Sequence, residues 1–166
     1  MVAESPATII ENELNAPCVE SKDWDYIIVE GGINDAMKNT ETGVCPLGTI
    51  TPSLNNKFDK TTFAGALEAL FKRLIVTYPN AKIGYIVTFN IKWEPAYDSD
   101  KYFDLAKQIC DKWGIQYLNL RDNSILDNES FMENLLMDGC HPSTQGYETL
   151  SPIIEGWMKT LKTDKI

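Results

Sequence analysis

The sequence has few of the features that bind nucleic acids or membranes, or that build a disulfide framework. Its 15 Lys and Arg against 24 Asp and Glu give a formal charge of −9, which repels phosphate backbones and anionic lipids. No apolar run approaches the roughly 20 residues that span a bilayer. The four cysteines contain no CxxC pair and are expected to be reduced thiols; they are Cys18, Cys45, Cys110 and Cys140. We therefore expect a folded protein that neither binds nucleic acid nor inserts into membranes.

The N-terminus lacks the basic start and apolar stretch of a secretory signal. The chain as written is therefore expected in the cytoplasm, and its location stays open if it belongs to a longer exported chain. Its 166 residues, of which 43% are hydrophobic, fit a single domain over residues 1–166. A chain of this length can bury a core without disulfides or metals.

Apolar runs alternate with apolar stripes at helical spacing along the chain. The predicted strands are 26–29, 82–89 and 116–120. The predicted helices are 61–78, 98–113, 131–137 and 143–161. Residues 36–60 are rich in Gly, Pro, Asn and Thr, which predicts a long surface loop. Strands that alternate with helices in this way predict an α/β fold with a parallel sheet between helices.

The turn after the first strand carries polar residues at the place where open α/β sheets bind ligands. Gly31 and Gly32 allow a tight backbone turn, and Asn34 offers an amide donor of the kind that stabilises an oxyanion. Ordinary strand-to-loop turns use the same residue types. Taken alone, this segment is compatible with either interpretation, although two glycines are too few for a phosphate-binding loop.

His141 is the only histidine, so any histidine-dependent proton transfer must use it. Asp138 lies three residues upstream, where its carboxylate could orient the imidazole and stabilise its charged form. A surface histidine beside a helix start can equally be inert. The two side chains could also ligate a metal, but no third and fourth ligand stands at a suitable spacing.

Together, Gly32-Ile33-Asn34-Asp35 and Asp138-Gly139-Cys140-His141-Pro142 resemble the third and fifth signature blocks of the SGNH, or GDSL-type, hydrolases. Residues 46–48, 62–67 and 78–79 between these blocks are similar to the family as well, so the resemblance runs from about residue 24 to the C-terminus. It implies a flavodoxin-like three-layer α/β/α domain that hydrolyses esters through a serine, with no metal and no cofactor.

The resemblance also implies a role for each residue. Asn34 would donate a hydrogen bond to the oxyanion, and Gly32 would shape the turn that presents it. His141 would take the serine proton and later protonate the leaving alcohol, while Asp138 would orient it. Asp35 would hold the loop. The substrate would be a small ester or an acylated carbohydrate.

The sequence departs from the family at the nucleophile. The first block, a strand followed by Gly-Asp-Ser, does not occur in the 166 residues, and the second is reduced at most to residues 5–10. Ser5 has too few residues before it for a strand, Ser143 is expected to cap the last helix, and Cys140 is adjacent to His141 and should point away from it. We therefore expect an N-terminally incomplete ester hydrolase domain that is inactive alone. The alternative is a non-catalytic module that binds carbohydrate or protein.

Trp93 and Tyr97, in a loop after the second strand, are either substrate contacts or packing residues. In the family's strand order the strand at 26–29 neighbours the missing first strand, so it would become an exposed apolar edge. The isolated chain is therefore expected to be poorly stable or to self-associate through this edge.

Overall fold

The computed structural model describes residues 24–37, 45–54, 57–92, 98–123 and 128–162. The predictions for Ser5, Cys18, Trp93 and Tyr97 lie outside these ranges. The described part is an α/β fold on a parallel sheet whose strand order is β1-β2-β3. The strands are β1 (Tyr26–Glu30), β2 (Lys82–Val87) and β3 (Gln116–Asn119). The predicted fold class and all three predicted strands are confirmed.

The sheet is in continuous parallel register. Tyr26 of β1 pairs with Lys82, and Gly84 of β2 pairs with Gln116 of β3. The central strand is buried from Ile83 to Val87, because a strand between two neighbours and two helical layers meets protein on every side. Since all three strands are parallel, their carboxyl ends lie at one edge of the sheet.

Five helices are present in the described residues. They are α1 (Ile33–Ala36), α2 (Phe63–Thr77), α3 (Ser99–Trp113), α4 (Asn128–Asn134) and α5 (Thr144–Met158). The Thr62 side chain caps α2 by accepting from the backbone N–H of Gly65. Gly114, at φ 65°, ends α3 in the left-handed conformation. None of these helices is both long enough and apolar enough to cross a membrane.

Two apolar clusters cover the two faces of the sheet and make three layers. Ile27 and Val29 of β1 pack against the cluster formed with α2 and α3. Ile28 packs against the other cluster, which includes residues of α4 and α5. This alternation follows from the period of two along a strand. The predicted three-layer α/β/α arrangement is therefore present.

The predicted helix at 131–137 is wrong at both ends, since α4 spans Asn128–Asn134. Leu136 instead forms an isolated antiparallel bridge with Pro142. The apolar pattern misled because Leu136 is buried in either arrangement, 8% exposed. The backbone hydrogen bonds of this segment go to the chain that follows, which the periodicity of side chains does not report.

A buried polar network fastens the loop before α2 to the helices. Glu68 of α2 is fully buried and accepts hydrogen bonds from the backbone N–H of Thr51, at 2.9 Å, and from the Trp113 indole, at 3.2 Å. The Lys112 ammonium forms an ion pair with the same carboxylate. The ion pair and the hydrogen-bond donors offset the cost of burying the Glu68 carboxylate.

Candidate active site

The backbone after β1 turns sharply at Gly32 to start α1. Gly32 adopts φ 114°, and its carbonyl accepts from the N–H of Ala36 at 3.1 Å. A side chain is strained at that φ, and a Cβ there would lie 3.4 Å from the rings of Phe63 and Phe103. The turn leaves Asn34 exposed beyond the end of β1, as an oxyanion donor requires.

Asp35 is buried beneath this turn, at 1% exposure. Among the described residues, no N–H or O–H group donates a hydrogen bond to either of its carboxylate oxygens. Burial raises the pKa of Asp35 to about 6, and an interaction with the Cys45 thiol offsets the shift only in part. Burial, followed by the charge of Asp35, also raises the pKa of the Cys45 thiol to about 11, so this thiol is not an activated nucleophile.

The predicted contact between Asp138 and His141 is formed. The Nδ1 atom of His141 lies 2.7 Å from Oδ2 of Asp138. The other carboxylate oxygen, Oδ1, accepts from the backbone N–H groups of Cys140, at 2.9 Å, and His141, at 2.8 Å. The backbone N–H of His141, then its imidazole and the N–H of Cys140 hold the pKa of Asp138 well below its usual range. A charged Asp138 accepts a hydrogen bond from Nδ1–H of His141. The other ring nitrogen, Nε2, then lacks a proton and can accept one.

A three-residue hairpin turn presents this pair. Met137 donates its backbone N–H to the carbonyl of His141 at 2.8 Å, and Ser143 donates to that of Leu135 at 2.8 Å. Gly139 takes φ 83° at the tip. Gly146 of α5 lets the helix rest on the hairpin, since a Cβ there would lie 2.4 Å from the carbonyl oxygen of Leu135.

The structure brings the two predicted segments to the same edge of the sheet. The loop after β2 is tied to the hairpin, because Lys92 donates its backbone N–H to the carbonyl of Gly139 at 2.8 Å. Ile33, next to Asn34, and Cys140, next to His141, pack against the same apolar cluster. The Asn34 turn and the Asp138–His141 hairpin thus lie beyond the carboxyl ends of parallel strands, where α/β proteins place their sites.

The hydroxyl groups of the two serines closest to His141 in sequence form hydrogen bonds with the backbone of α5. The Ser143 hydroxyl accepts from the N–H of Gly146 at 3.1 Å, which confirms the predicted helix cap. Ser151 donates its hydroxyl to the carbonyl of Tyr147 at 2.7 Å. Within the described residues, Cys45, Cys110 and Cys140 are free thiols.

Sequence reasoning missed three features of this region. Asn34 and Asp35 lie in the short helix α1, where the sequence predicts only a turn. The burial of Asp35 has no signal of its own, since a carboxylate in a glycine-rich turn is usually solvated. The place of Met137 beside His141 was hidden by the wrong helix boundary, although Pro142 after His141 indicated extended backbone there.

Comparison with known proteins identifies the family. Residues 7–149 match the model of the GDSL-like lipase/acylhydrolase family. The chain belongs to this family. The resemblance drawn from the residue 32–35 and 138–142 blocks is thereby confirmed. None of the curated proteins compared with this GDSL-like chain matches it.

Solved structures share the fold of this GDSL-like chain. A protein from Lactobacillus plantarum is 21% identical with a TM-score of 0.67, over 82% of this chain and 67% of its own. A GDSL-like lipase candidate from Bacteroides ovatus is 22% identical with a TM-score of 0.56, over 81% of this chain and 54% of its own. Another from Bacteroides uniformis is 24% identical with a TM-score of 0.52, over 87% of this chain and 57% of its own. At these identities the likeness establishes the fold alone.

Proposed function

We propose that this chain carries the base and oxyanion-hole part of a serine ester hydrolase acting on a small ester or an acylated carbohydrate. The observation that supports this most is the 2.7 Å contact between His141 Nδ1 and Asp138 Oδ2. It fixes the orientation of the ring and leaves Nε2 to exchange a proton with a nucleophile and a leaving group.

The proposed reaction follows from these positions. A serine Oγ attacks the ester carbonyl carbon while Nε2 of His141 takes its proton, and Asn34 donates a hydrogen bond to the oxyanion that forms. When the tetrahedral intermediate collapses, the imidazolium returns the proton to the leaving alcohol oxygen. Water then hydrolyses the acyl-serine by the same two proton transfers, which releases the acid. Asp138 stabilises the imidazolium in both halves.

The serine itself is proposed to lie outside these 166 residues, because no Gly-Asp-Ser motif occurs in them. The chain spans 54% and 57% of the two Bacteroides proteins with the same fold, so their chains have room for elements without a counterpart here. On this proposal the 166-residue chain alone does not turn over ester.

The absent motif also favours a second candidate, a non-catalytic module on the same scaffold. The exposed Asn34 turn and the Asp138–His141 hairpin would then contact a carbohydrate or a partner protein without breaking a bond. Ester or sugar binding without turnover is the behaviour expected of such a module.

Labelling with a fluorophosphonate, read by intact mass, tests the proposal. The 166-residue chain, shown to be folded by circular dichroism, is compared with a form extended by the coding sequence upstream of it. The expected result is one adduct on the extended form and none on the short one. In the extended form, His141→Ala abolishes the adduct and Asp138→Asn slows its formation. The exposed Glu155→Gln serves as the matched control and leaves labelling unchanged.

Two results would overturn parts of this proposal. A His141-dependent adduct on the 166-residue chain would mean that one of its own residues is the nucleophile, and peptide mapping would identify it. The absence of an adduct on both folded forms, together with binding of an acylated sugar, would replace the hydrolase with the binding module.

A further inference from the structure

We infer that Met137 forms the apolar contact for the leaving alcohol of the ester and thereby selects substrates by the size of that group. This inference rests on the proposed function, because it uses His141 as the proton donor to that alcohol. It concerns the part of the hairpin that the helical pattern did not predict, and it assigns a substrate-selecting role to a residue outside the two signature blocks.

The hairpin places Met137 directly opposite His141. Leu136 pairs with Pro142, and the backbone N–H of Met137 donates to the carbonyl of His141. Met137 and His141, the next pair of residues toward the turn, are therefore cross-strand partners. Because successive side chains alternate between the faces of a strand, the buried Leu136 and Pro142 face the protein interior and Met137 faces outward with His141.

Met137 is one of four large hydrophobic residues that are exposed in the described part of the chain. Its side chain is 72% exposed, beside an imidazole that is 58% exposed. Tyr147, in the first turn of α5, is also 58% exposed, so two of the large apolar side chains left in solvent lie within six residues of the proposed base. A thioether sulfur is only a weak hydrogen-bond acceptor, so it gains little from contact with water. The flexible Met side chain can adapt to apolar ligands of different shape.

The direction of proton transfer decides which part of the ester lies beside the His141 ring. The imidazolium of His141 must face the leaving oxygen when it returns the proton, so the groups beside the ring meet the alcohol portion of the ester rather than the acyl carbon bound to serine. A neighbouring apolar side chain favours an alkyl or aryl alcohol. The charge of −9 adds repulsion against anionic leaving groups.

Binding of plain alcohols tests the contact without requiring turnover. His141 is the only histidine, so its ring gives a single Hε1 signal in an NMR spectrum. Ethanol, 1-butanol and 1-hexanol are titrated against protein labelled in the methionine methyl groups. We expect the His141 and Met137 signals to shift together, with half-saturation falling about twofold or more for each added CH₂.

Substitutions at position 137 and at a matched position complete the experiment. Met137→Ser should remove the dependence on chain length, and Met137→Leu should retain most of it. Val76 is 71% exposed, almost the same as Met137, but it lies near the far end of α2. Val76→Ser should therefore leave the titrations unchanged.

The outcomes separate this inference from the proposed function. Chain-length-dependent binding that Met137→Ser abolishes supports the contact even if neither form of the protein reacts with fluorophosphonate. Binding that is independent of chain length, or that Val76→Ser weakens as much as Met137→Ser does, overturns the contact even if the extended form hydrolyses esters. In an active form, Met137→Ser should lower kcat/KM for hexyl acetate relative to ethyl acetate and leave a series of ethyl esters with longer acyl chains unchanged.

Discussion

Asp35 and Asp138 show how differently one residue type behaves in two neighbouring turns. Asp138 is exposed and surrounded by donors, so its charged form is stabilised. Asp35 is buried, and within the described residues its interactions with the Cys45 thiol and with its own backbone offset only part of the cost of burying its charge. A buried carboxylate that is poorly supplied with donors destabilises the folded state when it is ionised. The turn that presents Asn34 therefore contains a residue that lowers stability once it is charged.

The pH dependence of stability tests this interpretation of Asp35. Its pKa rises from the ordinary 3.8 to about 6 on folding, so its contribution is fully present below pH 3.8 and is lost as pH rises through about 6. Relative to wild type, Asp35→Asn should gain up to about 3 kcal/mol in free energy of unfolding between about pH 4 and about pH 7. Urea unfolding at several pH values measures this difference.

Asp138 provides a control, because its contribution to stability should change with pH in the opposite direction to that of Asp35. Because the pKa of Asp138 is lowered in the folded state, its contribution is present above the ordinary value and is lost as pH falls. Asp138→Asn should therefore lose stability relative to wild type as pH rises from 2 to 5, the reverse of Asp35→Asn. A flat difference for Asp35→Asn would show that its carboxyl is solvated or paired in solution.

At the scale of elements, the contact between β2 and α5 depends on one missing side chain. A Cβ on Gly84 would lie 2.5 Å from the Trp157 ring and 3.1 Å from Leu161. The central strand and the last helix therefore approach more closely than any other residue at position 84 would allow. This packing holds α5, and with it the hairpin that rests on Gly146, against the sheet.

Gly84→Ala should lower the free energy of unfolding by about 1–3 kcal/mol, because the ring must move within a packed layer. Gly156→Ala is the matched control, since a Cβ on Gly156 meets nothing within 4 Å and the residue lies inside α5. It should raise stability by about 0.5–1 kcal/mol through helix propensity. Thermal unfolding of both variants measures the contrast, and equal effects would contradict the packing argument.

At the scale of the whole molecule, β1 forms one edge of the described sheet. Lys82 donates its backbone N–H to the carbonyl of Asp25, and Tyr26 is the partner of Lys82. In a parallel ladder this register turns the N–H groups of Ile27 and Val29 toward β2 and those of Tyr26 and Ile28 outward. The outward groups would bond to a strand added from a second copy.

Self-association through β1 predicts a change in amide exchange with concentration. In dilute protein, the amides of Tyr26 and Ile28 should exchange much faster than those of Ile27 and Val29. At high concentration all four should become slow, while light scattering reports a larger mass. Fast exchange of the outward amides at every concentration, with a constant monomeric mass, would contradict the expectation.

The sequence by itself determined the strands, the helices α2, α3 and α5 to within about three residues at each end, and the family. Runs of β-branched residues, stripes at helical spacing and the residue 32–35 and 138–142 blocks are local patterns, so neighbouring residues suffice to define them. The pairing of Asp138 with His141 was also predictable, because three residues separate them within one turn.

The tertiary structure alone decided which side chains are buried and which residues lie opposite each other across the hairpin. The burial of Asp35 depends on segments brought over it from elsewhere in the chain, including the one that carries Cys45. The end of α4 at Asn134 depends on Leu136 pairing with Pro142, and the same pairing sets Met137 beside His141. These features follow from contacts between segments, and such contacts leave no period in the sequence.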